Sequence, residues 1–169
     1  MLKAPGQMQN TRGKEPTMKR REFVMLLGAA ASAPALLAVH GARAAPPIQA
    51  TLYKNPQCSC CEGYAQYLEK NGFKVDVKPT NDLAEISRKA GVPEDLEGCH
   101  TMFVGSYVVD GHVPVDVIRK LLAEKPAIAG ITLPGMPSGS PGMTGPKTET
   151  WTIYAVTKDG KPPKVFATV

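Results

Sequence analysis

Cys58-Ser59-Cys60-Cys61 is the tightest constraint in this 169-residue sequence, because three thiols fall within four positions and a fourth follows at Cys99. Gln49 to Lys54 reads as a short strand, with Thr51, Leu52 and Tyr53 favouring extended backbone. Asn55-Pro56-Gln57 breaks it. From Cys60 to Asn71 the residues Tyr64, Ala65, Tyr67 and Leu68 recur at helical spacing, and Asn71-Gly72 supplies a stop. The C-x-x-C pair, Cys58 and Cys61, therefore falls at a strand-to-helix junction, where free backbone N–H groups and the helix dipole favour thiolate over thiol. Three thiolates in one turn repel one another unless a cation neutralises them. Soft thiolates select Cu(I), Zn(II) or iron–sulfur clusters. Adjacent Cys60 and Cys61 are expected to point in different directions, which suits a polynuclear cluster with bridging sulfurs better than a single ion.

The N-terminus carries a separate message. Lys19-Arg20-Arg21 precedes an apolar, alanine-rich stretch from Val24 to Val39, and Ala42-Arg43-Ala44 closes it. A basic n-region, a short apolar run and a small-x-small site describe a signal peptide rather than a membrane anchor. The paired arginines beside Phe23 point to the twin-arginine type. Cleavage is expected after Ala44, with residues 1–17 an upstream start and Met18 the initiator. The expected destination is the periplasm, with no stable membrane insertion after cleavage. Residues 1–44 hold seven of the 20 basic and two of the 15 acidic side chains, so the whole excess of +5 belongs to them. Residues 45–169 carry thirteen charges of each sign and offer no electrostatic footprint for nucleic acid or anionic lipid.

Those 125 residues fit one domain with one core. Four cysteines in an exported domain ordinarily read as a disulfide framework. Three of them within four positions cannot staple distant loops, where cross-links are expected to stabilise most. Beyond the first helix, Phe73 to Val77 alternates as a half-buried strand, and Asn81 caps a helix from Asp82 to Ala90. Glu94 to Gly98 is an acidic loop delivering Cys99-His100 onto a strand, Thr101 to Val104. Gly105-Ser106 turns into Tyr107-Val108-Val109, Asp110-Gly111 turns again, and Pro114 opens a helix through Leu122. Residues 133–146 are rich in Pro and Gly, and Thr150–Thr157 with Lys164–Val169 form a hairpin around Lys158-Asp159-Gly160. This order predicts an α/β, thioredoxin-like fold: a central mixed sheet flanked by helices, with an added C-terminal β-hairpin. In such folds the loop entering the third strand faces the C-x-x-C and usually carries a cis-proline. Here Cys99-His100-Thr101 occupies it, with a ligand in place of the proline.

Residues 48–169 resemble the CopG-like family of periplasmic copper-handling proteins. The carrying features are Tyr53-Lys54-Asn55-Pro56 before Cys58-Ser59-Cys60-Cys61, then Cys99-His100-Thr101. Gly111-His112-Val113-Pro114, Leu133-Pro134-Gly135-Met136-Pro137 and Gly139-Ser140-Pro141-Gly142-Met143 add to the match. The resemblance implies a thioredoxin-like fold, a polynuclear Cu(I)–thiolate cluster on Cys58, Cys60, Cys61 and Cys99, and a role in copper resistance. It further implies a copper chaperone, oxidase or efflux component as partner.

Four other side chains are weighed as ligands. His100 adjoins Cys99, but on a strand alternate residues face opposite sides and the ring is expected to turn away. His112, between Gly111 and Pro114, reads as an exposed or turn-capping residue. Met136 and Met143 offer thioethers suited to Cu(I), although methionine more often caps a core. Tyr53, Tyr64 and Tyr67 read as core or rim. Three functions compete: a copper-binding protein that sequesters, transfers or redox-cycles copper; a thiol–disulfide oxidoreductase with Cys58 as nucleophile and Cys61 as resolving thiol; and an iron–sulfur electron carrier. The missing proline and the intervening Cys60 weigh against the second, and the C-x-C-C spacing against the third. Whether the first includes catalysis is open on sequence alone.

Overall fold

The computed structural model describes residues 45–159 and 161–169; the signal segment and its cleavage site, residues 1–44, lie outside them. Strand β1 (Ile48–Lys54) buries Ala50, Leu52 and Lys54, the alternate residues of one face. Helix α1 (Ser59–Lys70) packs Cys61, Tyr64, Ala65 and Leu68 inward and returns the chain to β2 (Phe73–Pro79), parallel to β1. Helix α2 (Leu83–Lys89) follows, one residue shorter at each end than expected. Its N-cap is Asp82 rather than Asn81, because the Thr80 hydroxyl accepts the Asp82 amide at 3.0 Å and sets the turn one step later.

A 3-10 turn at Glu94–Leu96 leads into β3 (His100–Val104), antiparallel to β1, and a two-residue turn at 105–106 joins it to β4 (Tyr107–Asp110). Helix α3 (Val115–Glu124) buries Val117, Ile118 and Leu121. It crosses to β5 (Gly130–Thr132), parallel to β4. The sequence pattern did not reveal β5. Its backbone runs so close to β4 that a Cβ on Gly130 would meet the Val108 carbonyl. The expected hairpin is present as β6 (Thr152–Val156) and β7 (Lys164–Thr168), and β6 pairs antiparallel with β5.

The sheet order is β2-β1-β3-β4-β5-β6-β7. Its first four strands, with one parallel and two antiparallel pairings, make the thioredoxin-like arrangement, and the last three extend the same sheet. Leu52, Leu68, Met102, Val109, Ile118, Leu121, Ile131 and Ile153 are fully buried and form one core across both parts. No described helix is long and apolar enough to cross a membrane.

Candidate metal centre

The alternation that buries Leu52 also turns Lys54 inward at the end of β1, where its side chain is only 2% exposed. Its ammonium group donates to the carbonyls of Asn55 (3.3 Å), Pro56 (3.2 Å) and Cys58 (3.2 Å) and pairs with Glu62 at 3.1 Å. One buried charge thus gathers three carbonyls of the loop that presents the first cysteine. The Asn55 side chain accepts the Gln57 amide, and its carbonyl accepts the Cys58 amide, each at 3.0 Å. The loop is fixed before α1 begins.

The register Lys54↔His100 sets residue 99 beside that loop. Cys99 Sγ lies 3.5 Å from Cys61 and 3.8 Å from Cys60, and Cys60 lies 3.4 Å from Cys58. All four sulfurs fall within 4.8 Å of one another. Sulfur ligands bound at about 2.3 Å around a tetrahedral ion stand about 3.8 Å apart, close to the Cys58–Cys60, Cys60–Cys99 and Cys61–Cys99 separations, while Cys58 and Cys61 must part before all four sulfurs can share a cation. The expectation that Cys60 and Cys61 diverge is corrected in one respect. Cys61 is buried and Cys60 half-buried, yet both reach Cys99, which stands over the first turn between their two directions. Cys58 and Cys61 are joined as a disulfide, so the structure holds the oxidised form of this pair.

Cys99 is placed by a buried carboxylate. Asp110 accepts the Gly98 amide at 2.5 Å, the Thr101 hydroxyl at 2.8 Å and the Ser87 hydroxyl at 3.4 Å. Burial pushes the Asp110 carboxyl up to about 6, against the lowering effect of these donors. Burial, with Cys60 alongside, raises the Cys99 thiol to about 12. The raised thiol favours its proton, which a bound cation would displace.

Two histidines complete the surroundings. His100 is fully buried, as a strand residue in a core, but it does not turn away: its Nδ1 lies 3.6 Å from Cys99 Sγ and its ring lies tilted against Tyr64 with centroids 4.6 Å apart. His112 is not an exposed turn residue. It is fully buried, its Nε2 lies 2.9 Å from Cys99 Sγ, and its Nδ1 meets the Pro141 carbonyl at 2.5 Å. Burial lowers both imidazoles, His100 to about 3. The sequence contained a signal for His112. The β3–β4 register pairs Thr101 with Asp110, and the same two-residue turn carried outward sets Cys99 opposite His112.

The 133–146 segment closes the centre from above. Met136 is 51% exposed, with its sulfur 4.0 Å from Cys60, so it does not cap a core. Met143, half-buried, lines a cavity of about 330 Å³ with Ser59, Cys60, Gly142 and Thr144. Tyr64 and Tyr67 tie α1 to the start of α3, one donating to the Val113 carbonyl at 2.8 Å and the other accepting the Val115 amide at 3.0 Å. Among the described residues two donor groups could hold a metal ion: Cys58, Cys60, Cys61 and Cys99, and Cys99 with His100 and His112.

A family described as protein of unknown function, DUF411, matches residues 96–143, the stretch that carries Cys99, both histidines and both methionines. Two solved structures, two forms of a protein named copper resistance protein CopG, are 34% identical to this chain. Each covers 73% of this chain and 98% of its own, with TM-scores of 0.68 and 0.67. No curated protein matches the chain.

Proposed function

The chain belongs to the family of the copper resistance protein CopG, and from that premise we propose that Cys58, Cys60, Cys61 and Cys99 bind Cu(I) as a polynuclear thiolate cluster in an exported copper-resistance protein. The observation that carries this reading is the convergence of four sulfurs from α1 and the β3 loop to within 4.8 Å of one another. Sulfur donors suit the softest cation available, and four of them hold it in the reduced state. Copper here is cargo to be sequestered, handed on or cycled between Cu(I) and Cu(II). The periplasm is its proposed location, on the twin-arginine pattern, with a copper chaperone, oxidase or efflux component as proposed partner.

Each part of the chain has a task in this reading. Lys54 shapes the loop that offers Cys58, and Asp110 holds the Gly98 amide and so places Cys99. The 133–146 segment limits solvent access and brings the Met136 thioether to Cys60. Loading all four sulfurs requires an external dithiol to supply two electrons and two protons, itself becoming a disulfide, so that the Cys58–Cys61 disulfide opens into thiols whose protons would leave as copper binds. Anaerobic loading of the reduced protein with Cu(I) tests the proposal. Several equivalents per chain are expected, falling sharply in Cys60→Ser, a residue outside the disulfide. Stoichiometric zinc with no copper would remove the reading.

The Cys58–Cys61 disulfide favours a second reading, thiol–disulfide exchange with Cys58 as the attacking thiol. Reduction of insulin by the metal-free dithiol form at rates well above free thiol would support it. Loss of that activity on copper loading would make the two functions alternatives at one centre.

A further inference from the structure

The metal centre leaves one face of the sheet without a role. Ala50 and Leu52 point into the core that α1 closes, so Gln49, Thr51 and Tyr53 of the same strand face the other way. The strand registers align Asp76, Thr51 and Phe103 in one row across β2, β1 and β3, and Lys78, Tyr53 and Thr101 in the next. We propose that this face, centred on Phe103 and Tyr53, docks a second copy of the chain in a two-fold dimer. The surface uses none of the four cysteines and stands apart from the copper reading.

The face is open because its cover is short. Helix α2 has only seven residues, and its Ser87 hydroxyl meets the hydroxyl of fully buried Thr101 at 2.5 Å. Cover stops there. Two residues on, Phe103 is 36% exposed although it belongs to an interior strand of the sheet. Its ring stands edge-on to that of Tyr53, with centroids 5.9 Å apart. Beside this aromatic pair runs a groove of about 310 Å³, lined by Tyr53, Phe103, Ile86, Ala90 and Lys89.

A ring standing beside a groove is its own complement. A two-fold axis along the strands sets each Phe103 into the groove of the other copy, an isologous contact that closes at two. The same rotation lays the β2 flank of one copy against the α2 flank of the other. Each flank carries one pair of opposite charges, Asp76 with Lys78 at 2.9 Å and Glu85 with Lys89 at 2.6 Å. Both rims of the dimer therefore bring acid and base together, with no excess of either sign to oppose the approach. A partner of a single sign finds no matching field on this face, which is why the occupant is a second copy. Three strands about 4.8 Å apart, with a helix alongside, present a face of about 400 Å² per copy. That lies at the small end of specific interfaces, so the dimer is weak and reversible.

Sedimentation equilibrium of the purified, metal-free protein, from micromolar to millimolar concentration, is the test. A reversible monomer–dimer equilibrium that stops at two is expected. Phe103→Glu is expected to weaken dimerisation by about tenfold or more, with an unchanged circular dichroism spectrum because the side chain is already part-exposed. The wild-type protein supplies a control that needs no variant: in a mixture of isotope-labelled and unlabelled copies, nuclear Overhauser contacts are expected between the Phe103 ring of one copy and the Ile86 methyl groups of the other. A dimer held instead by the apolar segment 24–39 would survive Phe103→Glu. A monomer at millimolar concentration, association that continues beyond two, a mixed sample without those contacts, or a dimer unchanged in Phe103→Glu overturns the proposal. Failure of the reduced protein to hold Cu(I), with dimerisation intact, removes the copper reading and leaves this interface standing.

Discussion

Lys54 exposes how a single side chain shapes the cysteine loop. Lys54→Met preserves the packing of the stem but strands the Asn55, Pro56 and Cys58 carbonyls that share the ammonium group. The expected loss is about 2–3 kcal/mol in urea denaturation, with weaker Cu(I) binding. Glu62 is 61% exposed, so Glu62→Gln is expected to change stability by less than about 1 kcal/mol. The contrast separates the carbonyls from the ion pair. Neither Lys54 nor His112 was legible as a structural residue, for different reasons. A lysine at a strand end reads as solvated, and only the alternation through Ala50 and Leu52 shows that it points inward. A histidine between Gly111 and Pro114 reads as a turn tip. Only the β3–β4 register carried outward to Cys99 points to its inward placement, and no local pattern records its contact with the Pro141 carbonyl 29 residues away. The cysteines were legible because their clustering is itself local, and Cys99 because the fold assignment put it opposite the C-x-x-C.

Among the elements, the 133–146 segment carries the sharpest consequence. Gly142 has a φ of +83°, and a Cβ there would lie 2.5 Å from the Tyr64 amide nitrogen and 2.8 Å from the Cys60 carbonyl. Gly142→Ala is therefore expected to lift the segment from α1 while leaving the sheet folded. Alkylation of Cys60 by iodoacetamide, followed by mass spectrometry, is expected to run several-fold faster than in wild type. An unchanged rate would mean that the segment does not shield the thiol. Helices α1 and α3 were readable because an apolar face repeats every three to four residues over ten or more positions. Strand β5 was not, since three residues beginning with glycine show no period. It is held in register by neighbours on both sides, β4 and β6. The α2 boundary shifted because Thr80, not Asn81, makes the side-chain bond to the backbone.

For the whole molecule, one sheet of seven strands holds the centre at the end where β1 gives way to α1 and β3 begins. The thioredoxin-like first half was read from element order, and the hairpin from its turn residues. That the two are one continuous sheet depended on β5 and became visible only in the structure. The donors come from parts of the chain far apart in sequence: Cys61 and Cys99 are separated by 38 residues yet stand 3.5 Å apart. An ion held by both is a staple across the unfolded chain, worth on the order of 4 kcal/mol by the loop-closure argument that applies to disulfides. Thermolysin digestion of the reduced protein is expected to slow markedly once Cu(I) is bound, and equal digestion of the empty and loaded forms would count against a shared ion. Cargo then sets lifetime. On the proposed copper reading, an empty molecule would be the one a protease clears and a filled one would persist, so the amount of protein present would follow the amount of copper without any change in its synthesis.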